Sequence, residues 1–267
     1  MKALVLTFDT EEFDLPTEFG LDISESEQIR IGREGTIRVL EMLSRLGLKA
    51  TFFTTGKFAL ACVDLFRSSL FEGHELALHG AVHSHHYTTM QKDEALRVLK
   101  QSKIDVEKAT GRSVVGFRAP RFETPGLDVV RDAGFVYDSS LHPTYVPGRY
   151  NHFFKNRKVH TVDGITVFPI SVSPLWRAPL SWIWFRNMPL IYSKGHVRML
   201  DLTDDCLHLY FHPWEFVDLS FWKVPASITR GTGLAFEKKV ETFVSWCLKR
   251  GYVSMTAEGY LKGKGMV

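Results

Sequence analysis

Short apolar runs recur along this chain with a polar or amphipathic stretch after almost every one, and that alternation constrains the fold more than any other feature. The runs lie at residues 2–9, 49–55, 74–78, 114–117, 136–138, 165–170, 206–211 and 252–256. Ile37, Leu40, Leu43 and Leu46 fall at helical spacing within 32–48, which Gly47 stops. Residues 58–71, 94–110, 125–133 and 234–249 read as further helices, and a polar loop fills the chain from the first run to about residue 28. Repeated strand-then-helix order requires a parallel sheet, closed or nearly closed at this count. The predicted architecture is therefore α/β: one distorted (β/α) barrel of about seven parallel strands over residues 1–267, with an insertion at about 143–202.

Composition removes other classes. With 45% hydrophobic and 24% charged residues, the chain has material for a real core and is neither disordered nor fibrous. A net charge of +3 is too small and too scattered for a nucleic-acid groove. Cys62, Cys206 and Cys247 have no metal-ligand spacing and leave an odd thiol, which argues against a disulfide scaffold and for a reducing compartment. No run of about eighteen apolar residues spans a membrane. The opening MKALVLTFDT lacks an apolar signal core and a cleavage site, and it stops at Asp9, Glu11 and Glu12. The expectation is a buried first strand beginning at Met1, and residence in the cytoplasm.

Barrels of this type place their working groups where strands end. Asp9 and Glu11 follow the first run, His79 and His83 the third, and Arg118 the fourth; Asp138 follows the fifth and His212 the seventh. His79 and His83, four apart, converge on one metal if the segment turns helical; otherwise they belong to a solvated turn. Asp9 and Glu11, two apart on extended backbone, share a face. One carboxylate of the pair then serves a metal and the other a proton-transfer role, unless they are surface acids together with Glu12 and Asp14. Neutral imidazoles suit zinc or another divalent transition metal, with a third protein ligand and one open position. Arg118 either orients a carboxylate or makes a structural ion pair. Asp138 positions a charged partner or caps the next turn. His212 is a protonatable group opposite the metal or a core histidine.

Together, LTFDTEEFD, GHELALHGAVH, GFRAPRF, YDSS and LYFHPWEF resemble, in order and spacing, the five motifs of the polysaccharide deacetylase family, also called the NodB-homology or carbohydrate esterase 4 superfamily. The resemblance implies a NodB-like distorted barrel and metal-dependent hydrolysis of an N-acetyl, sometimes O-acetyl, group on a sugar. It implies Asp9 as catalytic base, His79 and His83 as metal ligands, Arg118 as tether of the base and His212 as catalytic acid, with Asp138 alongside. The family's metal-binding aspartate directly follows the base. Thr10 stands there in this chain, so Glu11 is the expected replacement. Zinc is the leading choice of metal. Pro120, Arg121, Tyr150 and Trp214 are the residues expected to touch the sugar.

The expected substrate is an acetylated amino-sugar glycan or a lipid-linked sugar precursor. A deformylase or other amidohydrolase on the same scaffold, and a catalytically degenerate glycan-binding barrel, are the competing readings. Within the insertion, HPTYVPGRYNHFFKNR suits stacking on sugar rings or forms a structured loop. Trp176, Trp182, Trp184 and Phe185, beside Arg177 and Arg186, read first as a core helix or subunit contact. Their sharper reading is a patch that meets the inner membrane face peripherally.

Overall fold

The first strand sits between two neighbours on one edge and one on the other, and the rest of the sheet grows from it. In the computed structural model, which describes residues 1–267, the strands are β1 (Lys2–Thr10), β2 (Thr51–Thr54), β3 (Glu75–Leu78), β4 (Gly116–Phe117) and β5 (Tyr137–Asp138). They continue with β6 (Tyr145–Val146), β7 (Tyr150–Asn151), β8 (His160–Val162), β9 (Ile165–Val167), β10 (Cys206–Phe211) and β11 (Tyr252–Met255). The main sheet runs β10-β1-β2-β3-β4-β5-β9-β8. All neighbours pair in parallel except the edge hairpin β8–β9. β11 pairs with the first half of β1, and β2 with its second half. The expected number of parallel strands is thus met along β10 to β9, and the sheet curls into a half-barrel. Across the gap, Ser171 N donates to the His208 carbonyl (2.9 Å), and His208 N donates to Ser171 Oγ (2.9 Å).

Alternation along β1 sorts its side chains between two layers. Leu4, Leu6 and Phe8 pack with Val39, Leu40, Leu43, Val240 and Phe243 beneath the helical layer. Ala3 and Val5 instead join Phe53, Ala77, Tyr137, Phe168 and Tyr260 inside the barrel. The inner row leads on through Thr7 to Asp9, so the same pleat that buries valine delivers a carboxylate to the barrel mouth.

The helix Glu25–Leu46 starts earlier than its apolar periodicity indicates, because Ser24 accepts from Glu27 N and Glu25 and Glu27 favour the positive N-terminus. It lies very close to its neighbours. A Cβ on Gly35 would fall 2.1 Å from the Pro213 carbonyl oxygen, and one on Gly32 2.5 Å from that of Glu11. Residues 58–71, read as one helix, form the short helices Gly56–Ala61 and Val63–Arg67 and a 3-10 turn Ser69–Phe71, since the backbone breaks at Cys62. The 165–170 run stops at Val167, near Pro169, which has no N–H to extend a ladder. A final helix, Ala257–Gly263, follows β11.

Residues 143–202 hold the β6–β7 hairpin, the β8–β9 hairpin, and the helices Trp182–Asn187 and Leu190–Leu200. Trp182–Asn187 docks on the barrel: Phe185 is buried in the main core, and Arg186 pairs with Glu215, both side chains nearly fully buried. No helix is long and apolar enough to cross a membrane, and all three cysteines are free.

Candidate metal centre and catalytic cleft

Strand register assembles the cluster. Thr10, Thr54, Leu78, Phe117 and Asp138 stand side by side in the ladder. One residue further on, the chain presents Glu11, Thr55, His79, Arg118 and Ser139 in the same order. Phe8 pairs with Phe211, which sets His212 next to Asp9. Asp9, Glu11, His79, His83 and His212 all line one cleft of about 540 Å³.

The two imidazoles are held by their far nitrogens. His79 Nδ1 donates to the Arg118 carbonyl (2.8 Å), and His83 Nδ1 to Asp14 Oδ1 (2.6 Å). Each neutral ring then turns an Nε2 lone pair toward Glu11 Oε2, at 3.3 and 3.4 Å. That oxygen is buried and has no hydrogen-bond partner of acceptable geometry. The ligand atoms of Glu11, His79 and His83 lie within 4.8 Å of one another. Three converging lone pairs repel unless a cation stands among them. Without a metal, burial opposes charge on His83, but the Glu11 and Asp14 carboxylates outweigh it and raise its pKa to about 9. The residues therefore fit a divalent cation, and the supporting carboxylate and carbonyl fix the tautomers such a site needs.

The pair does not converge by helix formation. Residues 79–86 make turns, with Gly80 at φ +77°, and both rings are presented from a non-helical segment. Glu12 and Asp14, read as surface acids, are buried. Glu12 accepts from Thr55 Oγ1 (2.5 Å) and His83 N (3.2 Å). It ties the first loop to the histidine turn.

Arg118 is fully buried, and all five of its N–H groups are used. Nη1 donates to Asp9 Oδ1 (2.5 Å) and Thr7 Oγ1 (2.9 Å). Nη2 donates to Ser139 Oγ (2.9 Å) and His208 Nε2 (3.1 Å), and Nε to the Ser139 carbonyl (3.2 Å). Its guanidinium lies over the Phe53 ring at 4.0 Å. Asp9 is thereby fixed in place at the floor of the cleft.

His212 lies beside Glu11 in the cleft, with Nε2 3.9 Å from Oε1. It stacks on Trp214 (4.7 Å between centroids) and meets Trp182 edge-on (5.3 Å). Its backbone N donates to Glu215 Oε2 (2.9 Å), while its Nδ1 has no hydrogen-bond partner. Trp214 Nε1 donates to Glu11 Oε1 (3.3 Å), so the tryptophan braces the carboxylate as well as the imidazole.

Of the two roles open to Asp138, the structure shows the turn cap. Its carboxylate accepts from Ser140 Oγ (2.6 Å) and Ser140 N (3.1 Å), and it does not line the cleft. Burial raises its pKa to about 6. Ser140 links it toward the site, its Oγ accepting from Ala119 N (2.8 Å) beside Arg118. Pro120 is likewise buried behind the cleft wall; Ala119, Arg121 and Phe122 form that wall. Arg121 and Phe122 both have positive φ (55° and 62°), a strained arrangement that carries Arg121 Nη1 to the His83 carbonyl (2.5 Å). Tyr150 and Trp214 line the cleft, with Tyr150 hydrogen-bonded to His142 Nδ1 (2.8 Å). The tryptophan helix supplies Trp182 and Trp184 to the opposite wall. Sequence patterning alone had no signal for Asp14 or His208 as members of this neighbourhood.

Comparison with known proteins agrees with this fold. A candidate polysaccharide deacetylase from Mycobacterium smegmatis superposes with a TM-score of 0.67 at 19% identity, covering 98% of this chain and 90% of that one. Puue allantoinase superposes at 0.61 and 15% identity, covering 96% of this chain and 86% of that one. A peptidoglycan deacetylase from Helicobacter pylori is 28% identical over 119 residues, a stretch spanning 43% of this chain and 40% of that protein. The polysaccharide deacetylase family model matches residues 1–137, just over half of the 267, and takes in Asp9, Glu11, both histidines and Arg118. This chain belongs to the polysaccharide deacetylase family.

Proposed function

We propose that the protein is a metal-dependent hydrolase that removes the acetyl group from an acetylated amino sugar. The observation that carries this reading is the convergence of Glu11, His79 and His83 beside an arginine-held carboxylate, with His212 in the same cleft. Glu11, His79 and His83 would hold the cation, and one carboxylate with two imidazoles is a donor set that suits zinc. When bound, a divalent cation supplies Lewis acidity, polarising a carbonyl and making water easier to deprotonate.

The chain's own residues divide the proton transfers. Asp9, anchored through one oxygen by Arg118, accepts a proton from the water that attacks the acyl carbon. The C–N bond then breaks, and His212 delivers a proton to the departing nitrogen, so acetate and a free amine result. Expelling an unprotonated amine anion would be prohibitive, which is why an acid must face the base across the substrate. Trp214 and Trp182 hold the His212 ring in place for that transfer.

The test is zinc-loaded protein assayed for acetate against acetylated amino sugars and their oligomers. Asp9→Asn is expected to keep stoichiometric metal and lose turnover by about two to four orders of magnitude. Metal retained by His79→Ala/His83→Ala would sink the site, and metal lost by Asp9→Asn but kept by Glu11→Gln would reverse the two acids. Release of formate in place of acetate would assign a deformylase.

A further inference from the structure

Apolar side chains make up much of the cleft wall. Beyond the metal centre its wall is built from Leu15, Phe19, Val146, Ile183, Met188 and Ile228. Several of the polar side chains beside them are already engaged. Arg121 Nη2 pairs with Glu18 (3.0 Å), and Arg149 with the same carboxylate (3.6 Å) while lying over Trp182. Asn187 Nδ2 donates to the carbonyls of Ile183 (2.9 Å) and Ser227 (2.8 Å). Few partners are left for sugar hydroxyls along the apolar side chains themselves, and each hydroxyl buried there without one would cost about 1–3 kcal/mol; the indole N–H of Trp182 and the guanidinium of Arg149 remain as donors beside them. A volume of about 540 Å³ is within the range of small-molecule pockets.

The apolar wall also has a definite side. Trp182, edge-on to His212, begins the helix that carries Ile183, and Met188 follows it directly. The wall therefore continues from the residue that faces the leaving nitrogen. We infer that the preferred substrate is an amide whose amine half, the amino sugar, carries a bulky apolar group, and that this group lies along Ile183, Met188 and Ile228. This deepens the proposed function and rests on His212 serving the amine side.

Binding and turnover are measured on the same compounds, with and without zinc. These are methyl and octyl glycosides of N-acetylglucosamine, the octyl compound below its micelle concentration, N-octanoylglucosamine, and a chitin tetramer. Tryptophan fluorescence reads binding independently of catalysis, since Trp182 and Trp214 line the cleft. The octyl glycoside is expected to bind about tenfold or more tighter than the methyl glycoside in both metal states, a modest share of what seven buried methylenes can supply. Ile183→Asn/Met188→Gln, at partly exposed positions, should erase that preference. Tighter binding of the tetramer, preference for N-octanoylglucosamine, an octyl preference that survives in the variant, or no octyl preference at all would each overturn the inference. An octyl preference in binding with no acetate released would leave the pocket assignment standing and refute the reaction. Acetate released without the preference would do the reverse.

Discussion

His208 Nε2 accepts a hydrogen bond from Arg118 Nη2 at 3.1 Å while its Nδ1 donates to the Pro169 carbonyl at 3.0 Å. The ring is thus a neutral spacer between the guanidinium and the sheet edge, and burial together with Arg118 keeps its pKa far below the usual histidine range. His208→Phe leaves one Arg118 N–H unsatisfied and loosens the grip on Asp9. The expected outcome is a fall of about tenfold in kcat with little change in KM. His208→Gln, which retains an acceptor, should recover most of it; equal losses in both variants would refute the positioning role.

Asp14 binds no substrate in this scheme, yet it holds the His83 ring. Asp14→Asn is expected to weaken metal affinity about 10- to 100-fold, the usual consequence of losing a supporting carboxylate. A competition titration with a chromogenic chelator measures this, and circular dichroism verifies that the variant is folded.

The Arg186–Glu215 pair joins the tryptophan helix to the segment bearing His212, with both side chains almost completely buried. Arg186→Met strands a buried carboxylate and should destabilise the protein by about 3–5 kcal/mol in urea unfolding. Arg186→Met/Glu215→Leu should recover much of that stability. It should not recover turnover, because Glu215 also accepts from the His212 backbone N.

Acid should weaken the fold through its buried neutral histidines. His74 accepts from Ala50 N at Nδ1, and burial, with Lys49 and Arg112 nearby, lowers its pKa to about 4; burial and Arg118 take that of His142 to about 3. For a base whose folded pKa is depressed, the unfolded chain takes up protons first. Stability is therefore complete above about pH 6.5 and declines as pH falls toward the folded value. The melting temperature should drop between pH 6.5 and 4.5, and His74→Asn, which keeps an acceptor, should flatten part of that drop.

Residues whose position follows from strand alternation were legible in the sequence. Asp9 and Glu11 were expected on one face two apart, and both line the cleft; Cys206–Phe211 and Leu234–Lys249 have the bounds read from their patterns. What escaped depended on contacts between distant segments or on turn chemistry. Asp14 looks like a surface acid until His83, sixty-nine residues on, arrives beside it. Asp163-Gly164 is a two-residue turn signal, with both residues at positive φ (50° and 82°), and it makes 160–167 a hairpin where the sequence reading had only the strand beginning at 165. Arg186 reads as a charged flank of an apolar patch, because nothing local announces that Glu215 will neutralise it. The two histidines came together for a reason other than the helical one, through a glycine turn at Gly80.

The helix Glu25–Leu46 touches the backbone on both sides of the cleft: Gly32 meets the Glu11 carbonyl and Gly35 that of Pro213. One rigid rod thereby gauges the separation between Glu11 and the segment that carries His212. Even a methyl group at either glycine would act as a shim, prising one jaw outward while leaving every reacting side chain chemically intact. Tuning of the cleft by substitution can thus proceed from a helix that contributes no group to its lining, through the width of the gap that it sets.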